Sequence, residues 1–150
     1  MKKIISLVLA MICLFSLAAC GGEEADIDVA KVKEQIINDL GVEGALDIDT
    51  ASLLDLYGIV AEDVEESACY VTMDGVFPQE VILVKAVSQE AAKRVSEKLN
   101  VRIDEVKIQS QSYDAENYAL AQECKVIVKG NVVAMFLSPQ HAEMEKIFGE

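Results

Sequence analysis

The chain contains no tryptophan and only four phenylalanines and four tyrosines. Carbohydrate-binding faces are commonly built on flat aromatic platforms, so a sugar-binding module is disfavoured. Histidine is nearly absent as well. His141 is the only one, so a Ser-His-Asp triad or a histidine-based metal site has at most one candidate member. His141 falls in the first turn of a predicted C-terminal helix, where a surface position is its ordinary explanation. There is no G-x-S-x-G, no glycine-rich phosphate loop, no H-E-x-x-H and no C-x-x-C. Carboxylate pairs abound, but spacing alone singles out none of them as a general acid and base. The sequence therefore shows no catalytic constellation, calls for no cofactor, and points away from an enzyme.

Positive charge is also scarce: 13 Lys and Arg stand against 26 Asp and Glu. Such a surface repels nucleic acid and anionic lipid head groups, which disfavours both as partners, and no nucleic acid is expected. Half of the residues are apolar, and they are patterned, which argues against disorder.

The basic residues that open the chain, Lys2 and Lys3, precede an apolar run from Ile4 to Leu17. That run is shorter than the roughly 20 residues of a membrane span. It ends in Leu17-Ala18-Ala19-Cys20-Gly21, the order of a bacterial lipoprotein signal. Small residues fit a peptidase cleft, and only the Cys20 thiol accepts a diacylglyceryl thioether. An ordinary secretory signal also ends in alanines, but then Cys20 directly after Ala19 is coincidence. The expectation is a signal peptide over residues 1–19, cleavage between Ala19 and Cys20, and lipid attachment at Cys20. Two acyl chains of the palmitate kind on Cys20 anchor stably where one does not. The cut leaves 131 residues, with all 26 acidic ones but 11 of the 13 basic ones, a formal charge of −15. Cys13 is lost with the signal.

Residues 20–28 read as the lipidated cysteine and a short acidic tether. Eight extended residues span at most about 28 Å, so the domain rides close to the outer face of the cytoplasmic membrane. Residues 29–150 read as one extracytoplasmic domain. Val29, Val32, Ile36, Ile37 and Leu40 recur at helical spacing behind Asp28, and Gly41 closes the element. Residues 51–57 suggest a second helix capped by Asp49 or Thr50 and ended by Gly58.

Two hairpins follow. Residues 68–73 and 80–87 pair around Asp74-Gly75, and residues 124–128 and 132–137 pair around Gly130-Asn131. Between them Ser88 caps a long helix with the apolar stripe Ala92, Val95, Leu99, Ile103 and Val106, in which Glu90 and Arg94 make an i,i+4 pair. That helix frays near 110–112, and a short one follows over 114–122. Ser138-Pro139 opens the last helix. Residues 81–84 and 132–137 are apolar on both faces, so they need helices on each side, or a partner chain. The fold class is α+β: about four antiparallel strands in two hairpins, with helices packed on both faces. Cys69 to Gly75 echoes Cys124 to Gly130 at a constant offset, which raises a ββα pseudo-repeat against the alternative of chance.

Asp26-x-Asp28 and Asp47-Ile48-Asp49 resemble pieces of a calcium loop, but lack its glycine and closing glutamate. Helix capping explains Asp28 and Asp49, and no metal site is expected. Cys69 and Cys124 remain in the mature chain. Outside the membrane a disulfide between them is permitted; buried free thiols on strands are the competing reading.

Together the signal, residues 78–86 running into the Ala91-Ala92 helix, Tyr113 with its short helix, and Val126 to Val133 resemble the small lipoproteins of Firmicutes known as domain of unknown function 4358. The resemblance covers roughly Val64 to the C-terminus plus the signal. It implies a membrane-anchored extracytoplasmic domain without an established activity. The function expected is a non-enzymatic lipoprotein that binds a protein partner or itself at the cell surface. The alternative is a lipoprotein that binds a small solute or cation.

Overall fold

The computed structural model describes residues 27–73 and 78–149. The signal segment, Ala19, Cys20 and the tether through Asp26 lie outside the described residues, as does the Asp74-Gly75 turn.

Helix α1 (Val29–Asp39) begins where the Asp28 carboxylate accepts from the Lys31 amide at 3.0 Å. Strand β1 (Leu46–Ile48) leads to α2 (Ser52–Tyr57), whose first amide donates to Asp49 at 2.8 Å. Gly58, at φ 68°, ends α2 in the left-handed conformation that glycine adopts most easily. A 3-10 turn (Ala61–Asp63) precedes β2 (Val64–Ser67), β3 (Cys69–Thr72) and β4 (Gln79–Ala86). Ser88 accepts from Ala91 at 3.1 Å to start α3 (Gln89–Ser110), and Asp114 caps α4 (Ala115–Glu123). Strands β5 (Val126–Lys129) and β6 (Val132–Leu137) and helix α5 (His141–Gly149) complete the order.

The fold is α+β, with one antiparallel sheet of six strands in the order β1-β3-β4-β6-β5. Strands β2 and β3 are two parts of one bent run. Tyr70 pairs with Val81 near the start of β4, while Ser67 pairs with Val84 and Val64 with Ala86 near its end. Ala68 joins them by donating to the Leu83 carbonyl at 2.9 Å. The sheet thus has two strands more than expected. Neither β1 nor β2 announces itself: β1 is only three residues, Leu-Asp-Ile, with Leu46 and Asp47 exposed, and β2 reads Val-Glu-Glu-Ser. Pairing to stronger neighbours makes them strands, helped at β2 by Lys85 reaching Glu65 at 2.8 Å.

The central pair, β4 and β6, is buried on both faces by the chain's own helices. Ile82, Val84, Val133 and Met135 pack beneath the α3 stripe, with Leu53 and Tyr57 of α2 in the same cluster. Val81, Leu83, Ala134 and Phe136 pack against Val29 and Ile36 of α1 and Met144 and Phe148 of α5. Phe136 and Phe148 meet edge to face, 6.0 Å between centroids. All five stripe residues of α3 are buried.

Several expectations are corrected in detail. The ββα echo holds in the register of its hairpins, where Val71 pairs with Glu80 as Val126 pairs with Met135, but fails at its helices. The helix after the first hairpin lies on one face of the sheet and the helix after the second lies on the other, so a twofold axis through the β4–β6 pair does not relate them. Arg94 leaves Glu90 and grips Asp63, Nε donating at 3.0 Å. Helix α5 begins at His141 rather than at Pro139, because the Ser138 hydroxyl and carbonyl first close a turn on Gln140 and His141. Cys124 ends α4 instead of opening a strand.

Candidate functional site

A cleft with a volume of about 680 Å³ lies at the end of the sheet where β4 starts and β6 stops. Helix α4 forms one wall. It is held there by a short connection from α3 that begins at Ser110, whose hydroxyl donates to the Val106 carbonyl at 2.6 Å. Val106, Leu120 and Leu137 give the cleft an apolar floor, and Pro78 and Pro139 edge it. The strand ends are tied together by the Ser138 hydroxyl, which donates to Gln79 Oε1 at 2.9 Å.

The charges around the cleft are of one sign. Asp114, Glu116 and Glu123 line it together with His141, and among the described residues no lysine or arginine does. Asp114 accepts from the Asn117 amide at 3.0 Å and from its side chain at 2.7 Å. These bonds hold its carboxyl below the usual carboxylate value, so it stays charged. His141 is not the surface residue expected: its side chain retains 16% exposure between two glutamates. Nε2 stands 3.6 Å from Glu123 and Nδ1 3.5 Å from Glu145, and Nδ1 is buried without a hydrogen bond among the described residues. Glu145 also pairs with Lys125 at 2.9 Å.

A smaller pocket of about 230 Å³ opens on the other side of Pro78. At its base Glu80 is buried, and Arg102 clamps it, Nε lying 3.0 Å and 3.2 Å from the two oxygens and Nη2 donating to the first. The Tyr57 hydroxyl faces the same carboxylate. Burial first, and then the Glu80 charge, push that phenol well above its ordinary value, so it stays protonated. Leu56 and Met73, both exposed, rim this pocket.

The two cysteines do not meet. Both are free and buried. Cys69 lies on β3 and Cys124 at the end of α4, two residues before β5; those strands flank the β4–β6 pair, three strand spacings of about 4.8 Å apart, beyond disulfide reach. Burial pushes each thiol up to about 11. Around Cys124 the charges of Glu145 and Glu123 add to that, the reverse of the cationic surroundings that activate a nucleophile. Of the carboxylates singled out in the sequence, Asp47 pairs with Lys33 at 2.7 Å and Asp28 and Asp49 cap helices, while Asp26 lies outside the described residues. Among the described residues no group of three or more His, Cys, Asp or Glu is arranged to hold a metal ion.

Sequence reasoning missed the Glu80–Arg102–Tyr57 cluster and the assembly of α4 with His141. A signal for the first was present, since Glu80 is a lone charge entering the apolar run of β4. For the second there was none, because α4 reaches the strand ends only through tertiary packing.

No helix among the described residues is long and apolar enough to cross a membrane. No curated protein and no solved structure matches the chain. A family model described as a domain of unknown function (DUF4358) matches residues 38–138, starting before the Val64 expected and stopping short of α5. With two thirds of its length matched, from the end of α1 through β6, the chain belongs to the family of domain of unknown function 4358.

Proposed function

We propose that this protein is a membrane-anchored extracytoplasmic lipoprotein whose folded domain is a non-enzymatic protein-binding module. The anchor rests on Leu17-Ala18-Ala19-Cys20, followed within nine residues by the capped start of α1. The single observation that supports binding is the open, apolar-floored cleft at the sheet end, rimmed by carboxylates and without an activated nucleophile. The apolar strands that first suggested a partner chain are covered by the protein's own helices, so the cleft, rather than the sheet face, carries this reading.

The test is in-cell crosslinking of the natively lipidated protein followed by identification of what is captured. One dominant protein partner is expected. Capture of no protein overturns the reading. It would transfer weight to the alternative, binding of a small solute or cation, for which the acidic lining of the cleft by Asp114, Glu116 and Glu123 speaks.

A further inference from the structure

We infer that the cleft between α4 and the strand ends takes a basic, aliphatic segment of a partner protein, with lysine or arginine side chains lying along its floor. This inference rests on the protein-binding reading and names the chemistry of the partner. Three features select that occupant. Asp114, Glu116 and Glu123 line the cleft and, among the described residues, no lysine or arginine does, so a cationic group meets attraction from the rim. Asp114 is held in its charged form by Asn117. The floor of Val106, Leu120 and Leu137 is apolar, which suits the methylene stems of lysine and arginine while their heads reach the rim.

The same field rejects the other candidates. A second copy of this chain brings its own excess of carboxylates, and nucleic acid or an anionic lipid surface is repelled. A volume of about 680 Å³ holds a few side chains, the scale of a short segment docked in a groove. Complementary charge at an exposed rim speeds encounter and selects the partner, while the apolar floor supplies burial.

The experiment uses the full lipidated chain in phosphatidylcholine nanodiscs, whose zwitterionic surface does not itself attract cations. It is titrated with a fluorescent peptide of alternating leucine and arginine, and with its leucine–glutamate counterpart. Four forms are compared: native, Glu116→Gln with Glu123→Gln, Ala119→Trp to fill the groove from an exposed position on α4, and Glu34→Gln with Glu43→Gln as a distant acidic pair. The expected result is saturable binding of the arginine peptide alone, weakened about fivefold to tenfold by the cleft pair and by Ala119→Trp. The distant pair should change it less than about twofold. The inference falls if the native protein does not bind the arginine peptide, if both peptides bind alike, if Ala119→Trp leaves binding intact, or if the distant pair weakens it as much as the cleft pair. If it falls while crosslinking in cells still captures one dominant protein, binding occurs through another face; if crosslinking captures none, the protein-binding reading falls too.

Discussion

Glu80 and Arg102 form the most heavily buried ion pair among the described residues, and the balance of forces there is lopsided. A buried pair contributes little net stability over well-packed apolar side chains, but removing one partner strands a charge in the interior. Arg102→Met should therefore destabilise the fold by about 3 kcal/mol, read as a fall in the urea midpoint. Adding Glu80→Met to the same chain should recover most of the loss, and failure to recover would mean the pair itself stabilises the fold. Asp63 offers a pH test. The Arg94 hydrogen bonds, ahead of its Coulombic attraction, hold the Asp63 carboxyl below its ordinary value of 3.8. A depressed carboxyl binds its proton less readily in the folded state, so its contribution is complete above that ordinary value and fades as the pH falls through the folded one. Asp63→Asn should lower the urea midpoint at pH 7, and the gap to the native protein should narrow steadily as the pH drops below about 4. A gap independent of pH would mean that Asp63 acts through packing.

At the level of elements, the hairpin of β5 and β6 depends on its turn. Lys129 pairs with Val132, which leaves Gly130-Asn131 as a two-residue loop, and only Gly130 has a positive φ, 59°. That is the pattern of a type II′ turn, with glycine in its first central position. The loop is then pinned to β4: Asn131 Nδ2 donates to the Ala86 carbonyl at 3.0 Å, and the Asn131 carbonyl accepts from the Ala86 amide at 2.8 Å. Gly130→Ala should cost about 1–2 kcal/mol in thermal or urea unfolding, because an L side chain resists that φ. An unchanged midpoint would show that the turn shifts to another type. This hairpin was readable from Gly130-Asn131 between apolar runs, and α3 from Ser88 and its stripe. Strands β1 and β2 were not, since partners far away in sequence supply their reason to be strands.

For the whole molecule, location and fold are separable questions. If Cys20 carries the anchor, Cys20→Ser should move the protein from the membrane fraction to the soluble extracytoplasmic fraction, without changing the unfolding of the domain. Retention on the membrane would argue for an uncleaved signal helix or for a tightly held membrane partner. The acidic surface acts at this scale too, since its field extends about 10 Å at 0.1 M salt and disfavours anionic partners before contact.

What the sequence determined by itself is what short-range chemistry determines. Helix starts at Asp28, Ser88 and Asp114 follow from a side-chain oxygen within reach of an orphan amide, and the demand for cover on both faces of residues 81–84 and 132–137 follows from their unbroken apolarity. What only the tertiary structure decided is who meets whom. Arg94 chose Asp63 over Glu90, Arg102 closed on Glu80, Cys69 and Cys124 were set toward opposite sides of the β4–β6 pair, and α4 was swung against the strand ends to make the cleft. Each of these contacts joins residues far apart in the chain, and burial and strand order settle them; sequence periodicity carries no information about either.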